Sequence, residues 1–310
     1  MAKIVRHLRD GQMEFQKVFS KLCNTKSSWQ AWSDFVEMTA IAISNSCEIR
    51  ENVRQDREKR YLDIIGQYNK SEQQLFPELV GILVMSLERE AEQDFLGEMF
   101  MALELGSHWK GQFFTPYSVC KEMAKINVQD ARDKIGKRGY ISVNDPACGA
   151  GATLIAARNA LELDGIGGTR AFFVAQDIDR TAAMMCYIQL SLLGCAGYVV
   201  IADTLIHPVT GPMLWPNLTE HQEAWFMPMN FIDATWVLRL SRTWRGLEAE
   251  EDANCHENTT AEEPNCHEIA TEPQEAAEPE PPQAVIPEPP APPVPEIPLM
   301  ENEIGQLTLF

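Results

Sequence analysis

Apolar residues recur at spacings of three and four through the first part of the chain: Phe15, Val18, Phe19 and Leu22, then Trp32, Phe35, Val36, Thr39, Ala40 and Ile43. That period lines one face of a helix. A longer pattern opens at Ser71-Glu-Gln-Gln, carries Leu75, Leu79, Ile82, Leu83 and Leu87, and runs on through Phe95, Met99 and Leu103. Hairpin punctuation with flanking alternation is missing, so residues 1–110 read as a helical region.

The texture changes after Gly111. Ile141-Ser-Val-Asn-Asp is a short strand ended by a Pro/Gly turn, and Ala152–Leu163 has a helical pattern. Ala171-Phe-Phe-Val-Ala-Gln is a second strand, Thr181–Leu193 a second helix, and Gly197-Tyr-Val-Val-Ile-Ala a third strand. Strand and helix alternating in this way predict parallel βαβ units. Trp225–Trp244 is apolar enough for one more strand and a helix.

Charge divides the chain again. Of the net charge of −19, −16 falls between Leu247 and Phe310, which holds sixteen Asp or Glu and no Lys or Arg; residues 1–246 carry only −3. The same stretch holds twelve of the nineteen prolines. Such a composition predicts a disordered acidic linker over 247–305. Its short repeat, Asn254-Cys-His-Glu and Asn265-Cys-His-Glu, reads as duplicated low-complexity sequence and not as a zinc site, so no metal is expected. A run of about 18 apolar residues, a secretory leader and a disulfide framework are all missing, which leaves a reducing cytoplasm as the simplest home.

The chemistry concentrates at Asn144-Asp-Pro-Ala-Cys-Gly-Ala-Gly, between the first strand and its helix. Gly149 and Gly151 allow a tight turn and a close ligand approach, and the helix N-terminus behind them offers free N–H groups. Asp145 at the strand end disfavours a phosphate and suits an ammonium group. Asp177 ends the second strand, where a carboxylate can accept both ribose hydroxyls, and Asp203 ends the third. Three acids in order at the carboxyl edge of a parallel sheet point to a nucleoside-type cofactor. Cys148 reads as a small residue filling the turn, and the six histidines have no motif context.

Gly111-Gln-Phe-Phe-Thr-Pro, Asp145-Pro-Ala-Cys-Gly-Ala-Gly, Ala175-Gln-Asp and Ala202-Asp-Thr-Leu together resemble the successive motifs of N6-adenine DNA methyltransferases, above all the modification subunit of type I restriction systems. The resemblance covers roughly residues 90–205. It implies a partial Rossmann-like α/β methyltransferase sheet over 111–246, S-adenosyl-L-methionine as cofactor and DNA as partner. It also implies roles: Thr115 and Pro116 against the methionine end, Asp145, Pro146, Gly149 and Gly151 cradling the amino-acid part, Asp177 on the ribose and Asp203 near the adenine ring.

The family's catalytic tetrapeptide, Asn or Asp followed by Pro-Pro and an aromatic, is missing. Its Asn and a Pro carbonyl accept the hydrogens of a flipped adenine's amine while the aromatic stacks on the base. The only Pro-Pro pairs lie in the acidic stretch; Trp215-Pro-Asn and Met227-Pro-Met-Asn-Phe are the nearest candidates for a disguised loop. The catalytic residues are therefore unassigned. Two functions compete: an adenine methyltransferase with a substitute or partner-supplied loop, and a cofactor-binding module without chemistry that serves DNA maintenance or anti-restriction. Methylation of protein or RNA is a third. With so few strands, one sheet edge is expected to be open, covered by residues 206–246, a partner chain or a second copy.

Gln306-Leu-Thr-Leu-Phe310 resembles the peptide by which bacterial proteins dock on the replication sliding clamp, with Gln306, Leu307, Leu309 and Phe310 as contacts. The alternative is that these residues fold back on the body. Two basic stretches, Arg54/Arg57/Lys59/Arg60 and Arg239/Arg242/Arg245 beside Trp236 and Trp244, read either as DNA contacts or as solvated helix faces.

Overall fold

The structure is a computed structural model describing residues 8–105, 114–129, 131–135, 139–257 and 306–308; for residues 247–257 and 306–308 it describes the backbone. Six helices come first: α1 (Asp10–Leu22), α2 (Ser28–Asn45), α3 (Glu51–Ile65), α4 (Lys70–Gln73), α5 (Leu75–Arg89) and α6 (Phe95–Ala102). Their starts are written in local chemistry. The Ser27 hydroxyl accepts the Gln30 N–H at 3.1 Å, and Asn69 with Glu72 closes a reciprocal capping box. The long apolar pattern from Leu75 to Leu103 is two helices, not one. Asp94 accepts the Gly97 N–H at 2.9 Å and starts α6 afresh. The apolar stripes meet in an aromatic cluster, in which Phe15 lies edge-on to Phe35 and Phe95 at 5.3 and 5.5 Å.

After α7 (Tyr117–Asn127) and α8 (Ala131–Ile135), the alternating region forms as its periodicity predicts. Its elements are β1 (Ile141–Asp145), α9 (Ala152–Leu163), β2 (Ala171–Asp177), α10 (Arg180–Leu192) and β3 (Ala196–Ile201). The stretch beyond supplies β4 (Glu223–Phe226), α11 (Met229–Ile232) and α12 (Ala234–Glu257). The last strand is β5 (Gln306–Thr308). The sheet order is β4-β3-β2-β1-β5. β1, β2 and β3 run parallel, β4 is antiparallel to β3, and β5 is parallel to β1.

Strand residues alternate between two faces. Val143, Phe173, Ala175 and Val199 join the core shared with the N-terminal helices, α9 and α10. Phe172, Val174, Tyr198 and Val200 meet Trp236 and Leu240 of α12. Both faces being covered explains why the strands read as continuous apolar runs. The helical region and the sheet thus share one buried core, and the described residues up to 245 cluster with 306–308 as one compact unit. Of the described residues, 246–257 fall in the other unit.

Two expectations change. Structure does not stop at Leu247: Leu247-Glu-Ala-Glu-Glu-Asp-Ala-Asn-Cys-His-Glu is rich in helix formers and α12 runs through it to Glu257. The rest of the predicted linker, 258–305, lies outside the described residues, as do Leu309, Phe310 and the second Asn-Cys-His-Glu copy. The edge of β1 is not open either, since Gln306–Thr308 of the same chain pair along it. Among the described residues no helix is long and apolar enough to cross a membrane.

Candidate functional site

The Gly-rich turn leaves β1 at the carboxyl edge of the sheet and enters α9. Gly149 and Gly151 have φ of +52° and +93°, values that favour glycine. A Cβ on Gly149 would stand 2.9 Å from Cδ1 of Phe114, and one on Gly151 would stand 2.8 Å from Sγ of Cys186 on α10. The turn is therefore compressed between two neighbours. One of them, Phe114, belongs to the Phe-Phe-Thr-Pro segment, which is far away in sequence. Its ring also packs on Phe100 of α6 at 5.3 Å. Gly111–Phe113 lie outside the described residues.

Thr115 and Pro116 follow, both exposed, with Pro116 at the start of α7. They line a cleft of about 660 Å³ together with Asp94, Glu98, Met101 and Lys121. Lys121 is held by Glu92, so carboxylates dominate the wall.

The three strand-end acids do different work. Asp145 is 1% exposed and faces inward. Its carboxylate accepts the Thr153 hydroxyl and, at 3.0 Å, the Ala147 N–H. It shapes the turn from beneath instead of presenting a carboxylate to an ammonium group. Burial pushes its pKa above the ordinary aspartate value, opposed by those hydrogen bonds. Asp177 is half-buried and accepts the Gly149 N–H and the Asp179 N–H, each at 2.8 Å. Burial raises its pKa also. Asp203 accepts from Leu205 N–H at 2.9 Å and Ile206 N–H at 3.3 Å, a turn that leaves Leu205 and Ile206 largely exposed beside the crevice. Ile178 is exposed next to Asp177. Pro146 is fixed by its carbonyl, which accepts the Thr204 hydroxyl at 2.5 Å and ties the first strand end to the third.

Thr115, Pro116, Pro146, Gly149, Gly151, Asp177 and Asp203 thus sit on the turn, on the segment packed against it, or at neighbouring strand ends. The contributors that sequence reasoning passed over are Phe114, Thr153 and Gln189. Gln189 is fully buried in α10. Its amide donates to Asp94 at 2.8 Å and to the Ala150 carbonyl at 2.9 Å, and accepts the Leu96 N–H at 3.0 Å. A lone Gln within the apolar run Met184–Leu192 was its signal. Cys148 is buried, and its hydrogen bond with Cys186 and its burial push its pKa well above the ordinary thiol value. That is the space-filling role, not a reactive one.

One of the two substitute catalytic loops fails on geometry. Asn230 of Met227-Pro-Met-Asn-Phe is fully buried, and its amide bonds both the N–H and the carbonyl of Gly197 at 2.8 Å. Asn217 of Trp215-Pro-Asn forms a backbone bridge with Thr210 and is exposed. Three of the four residues of the first basic stretch are engaged within the protein, and Lys59 is exposed. Arg57 is buried, 3.7 Å from the Trp225 ring, and donates to the Ala224 carbonyl; Arg60 pairs with Glu37 and Arg54 with Glu51. On α12, Arg239 is fixed to the Thr169 and Gly139 carbonyls and Trp236 is buried, while Arg242, Trp244 and Arg245 are exposed.

A mostly parallel sheet with acids at its carboxyl edge and a glycine turn at a helix N-terminus is the arrangement of an α/β fold suited to a nucleoside-type cofactor. Residues 94–263, more than half of the chain, match the family model described as N-6 DNA Methylase. The chain belongs to this family, and its cofactor is S-adenosylmethionine. The strand-end carboxylate of Asp177 and the exposed Ile178, Leu205 and Ile206 are chemically compatible with such a group, while the N–H groups of Ala147, Cys148, Gly149 and Gly151 are already bonded within the protein. Among solved structures, a Listeria monocytogenes protein described as a class I S-adenosylmethionine-dependent methyltransferase is 18% identical over 67% of this chain, with a TM-score of 0.38. The likeness covers 58% of that protein's length. No curated protein matches.

Proposed function

We propose that the chain is an S-adenosylmethionine-dependent protein of the adenine-N6 DNA methyltransferase type, acting on DNA. The packing of Phe114 against Gly149 carries this reading, because it sets the Thr115-Pro116 segment beside the turn whose Gly149 N–H is bonded to Asp177. The bound cofactor supplies an activated methyl group on a sulfonium. Asp177 accepts ribose hydroxyls once it exchanges its backbone partners for them, Asp145 keeps the turn in shape, and Thr115 and Pro116 close the methionine end. The described cysteines are free thiols, in keeping with a reducing cytoplasm.

A second reading is favoured by Asn230. With that side chain buried on Gly197, the Met227-Pro-Met-Asn-Phe loop does not offer the acceptors that a target amine needs. The chain is then a cofactor-binding module, and the peptide Gln306–Phe310 tethers it to the bacterial sliding clamp for DNA maintenance or anti-restriction. The experiment is methyl transfer from labelled S-adenosylmethionine to unmethylated duplex DNA, with cofactor retained on the protein counted in the same samples. Label in DNA supports the first reading. Label found only as bound cofactor supports the second. Absence of both overturns the cofactor site itself.

A further inference from the structure

β1 is the strand that feeds the cofactor turn, and β5 is its outer neighbour. Ser142, Val143 and Asn144 pair with Gln306, Leu307 and Thr308. We infer that the outer edge of β1 is a docking edge for an extended peptide, that Gln306–Thr308 is its exchangeable occupant, and that its occupancy is coupled to cofactor binding.

Three observations support this. First, Ile141-Ser-Val-Asn-Asp has no lysine, proline or bulge of the kind that shields a permanent edge, so unpaired backbone groups there need a strand. Second, the grip is short. β5 contributes three pairs where β2 and β3 share six, and a short terminal pairing is among the first to open. Third, β5 runs parallel to β1, so it supports the strand along the residues that lead into Asp145. Asp145 holds Ala147 and Thr153 in place, and a shift of β1 moves the turn. Backbone groups used in this ladder are not available to a partner. Release of the peptide and completion of the sheet are therefore mutually exclusive, and by linkage a ligand that favours the ordered turn favours the seated strand. The inference rests on the clamp reading only for the identity of the competitor.

Hydrogen exchange tests it in the full chain, in a chain lacking residues 306–310, and in the full chain carrying Leu307→Pro with Thr308→Pro, since successive N–H groups of a strand face opposite edges and one of the two prolines removes a donor to β1. Exchange of residues 141–145 rises about tenfold in both variants, and S-adenosylmethionine affinity falls about fivefold. A synthetic peptide of residues 303–310 restores protection to the shortened chain. Unchanged exchange at β1 after truncation, or a peptide without effect, overturns the docking edge. Exposure of β1 in the full chain on adding bacterial sliding clamp identifies the competitor. If truncation and peptide act as expected but the clamp does not, the clamp is overturned as competitor and the edge stands.

Discussion

Gly149→Ala separates two costs at the centre of the site. The first is conformational. A φ of +52° costs an alanine roughly 1–2 kcal/mol relative to glycine. The second is steric. The new Cβ stands 2.9 Å from Phe114 Cδ1 and 3.1 Å from Cε1, inside any ordinary contact, and the ring is wedged against Phe100. Pushing an aromatic ring out of a packed position costs about 1–3 kcal/mol. Together these predict a loss of about 2–5 kcal/mol, shared between folding and the closed form of the crevice. Since about 1.4 kcal/mol is tenfold in affinity, an even share of that loss should weaken cofactor binding, measured by calorimetry, by roughly fivefold to seventyfold. Phe114→Leu in the same chain should recover the steric part and leave the conformational part, giving a coupling energy of about 1–3 kcal/mol in a double-mutant cycle. Additive behaviour of the two substitutions, or wild-type affinity in Gly149→Ala, refutes the claim that Phe114 seats on the turn.

Thr153→Val removes the hydroxyl that Asp145 accepts and should cost about 1–3 kcal/mol in urea unfolding. The Asp145 pKa is already raised by burial, so its ionised form is the disfavoured one; the deficit is largest at neutral pH and shrinks as pH falls through the raised pKa, above the ordinary 3.8. A deficit that grows on acidification would contradict this. Arg57→Ala, losing the stack on Trp225 and the bond to the Ala224 carbonyl, should lower stability by about 2–4 kcal/mol in thermal or urea melts. DNA affinity at fixed salt should not change, because the guanidinium is buried; a selective loss of DNA binding in a stable variant would show the residue to be a phosphate contact. Cys148, buried with a raised pKa, should stay unmodified by maleimide in the native protein at neutral pH and react on unfolding, as read by mass spectrometry.

Much of this protein is legible along the chain because its signals are local. Apolar period sets helix or strand, and the order of strand and helix from Ile141 to Ile201 dictates a parallel sheet whose acids share one edge. Glycines at 149 and 151 declare a turn that only they adopt cheaply. Tertiary structure decided what those residues face, since that depends on neighbours distant in sequence. Asp145 lies under the turn because Thr153, the second residue of α9, comes back to it. Gln189, unremarkable by itself, ties three segments together because α10 lies between them. Asn230 is a strand clamp because β4 returns antiparallel beside β3 and sets it down on Gly197. The pairing of Gln306 with Ser142, more than 160 residues apart, could not be read from either segment, because backbone ladders carry no side-chain code.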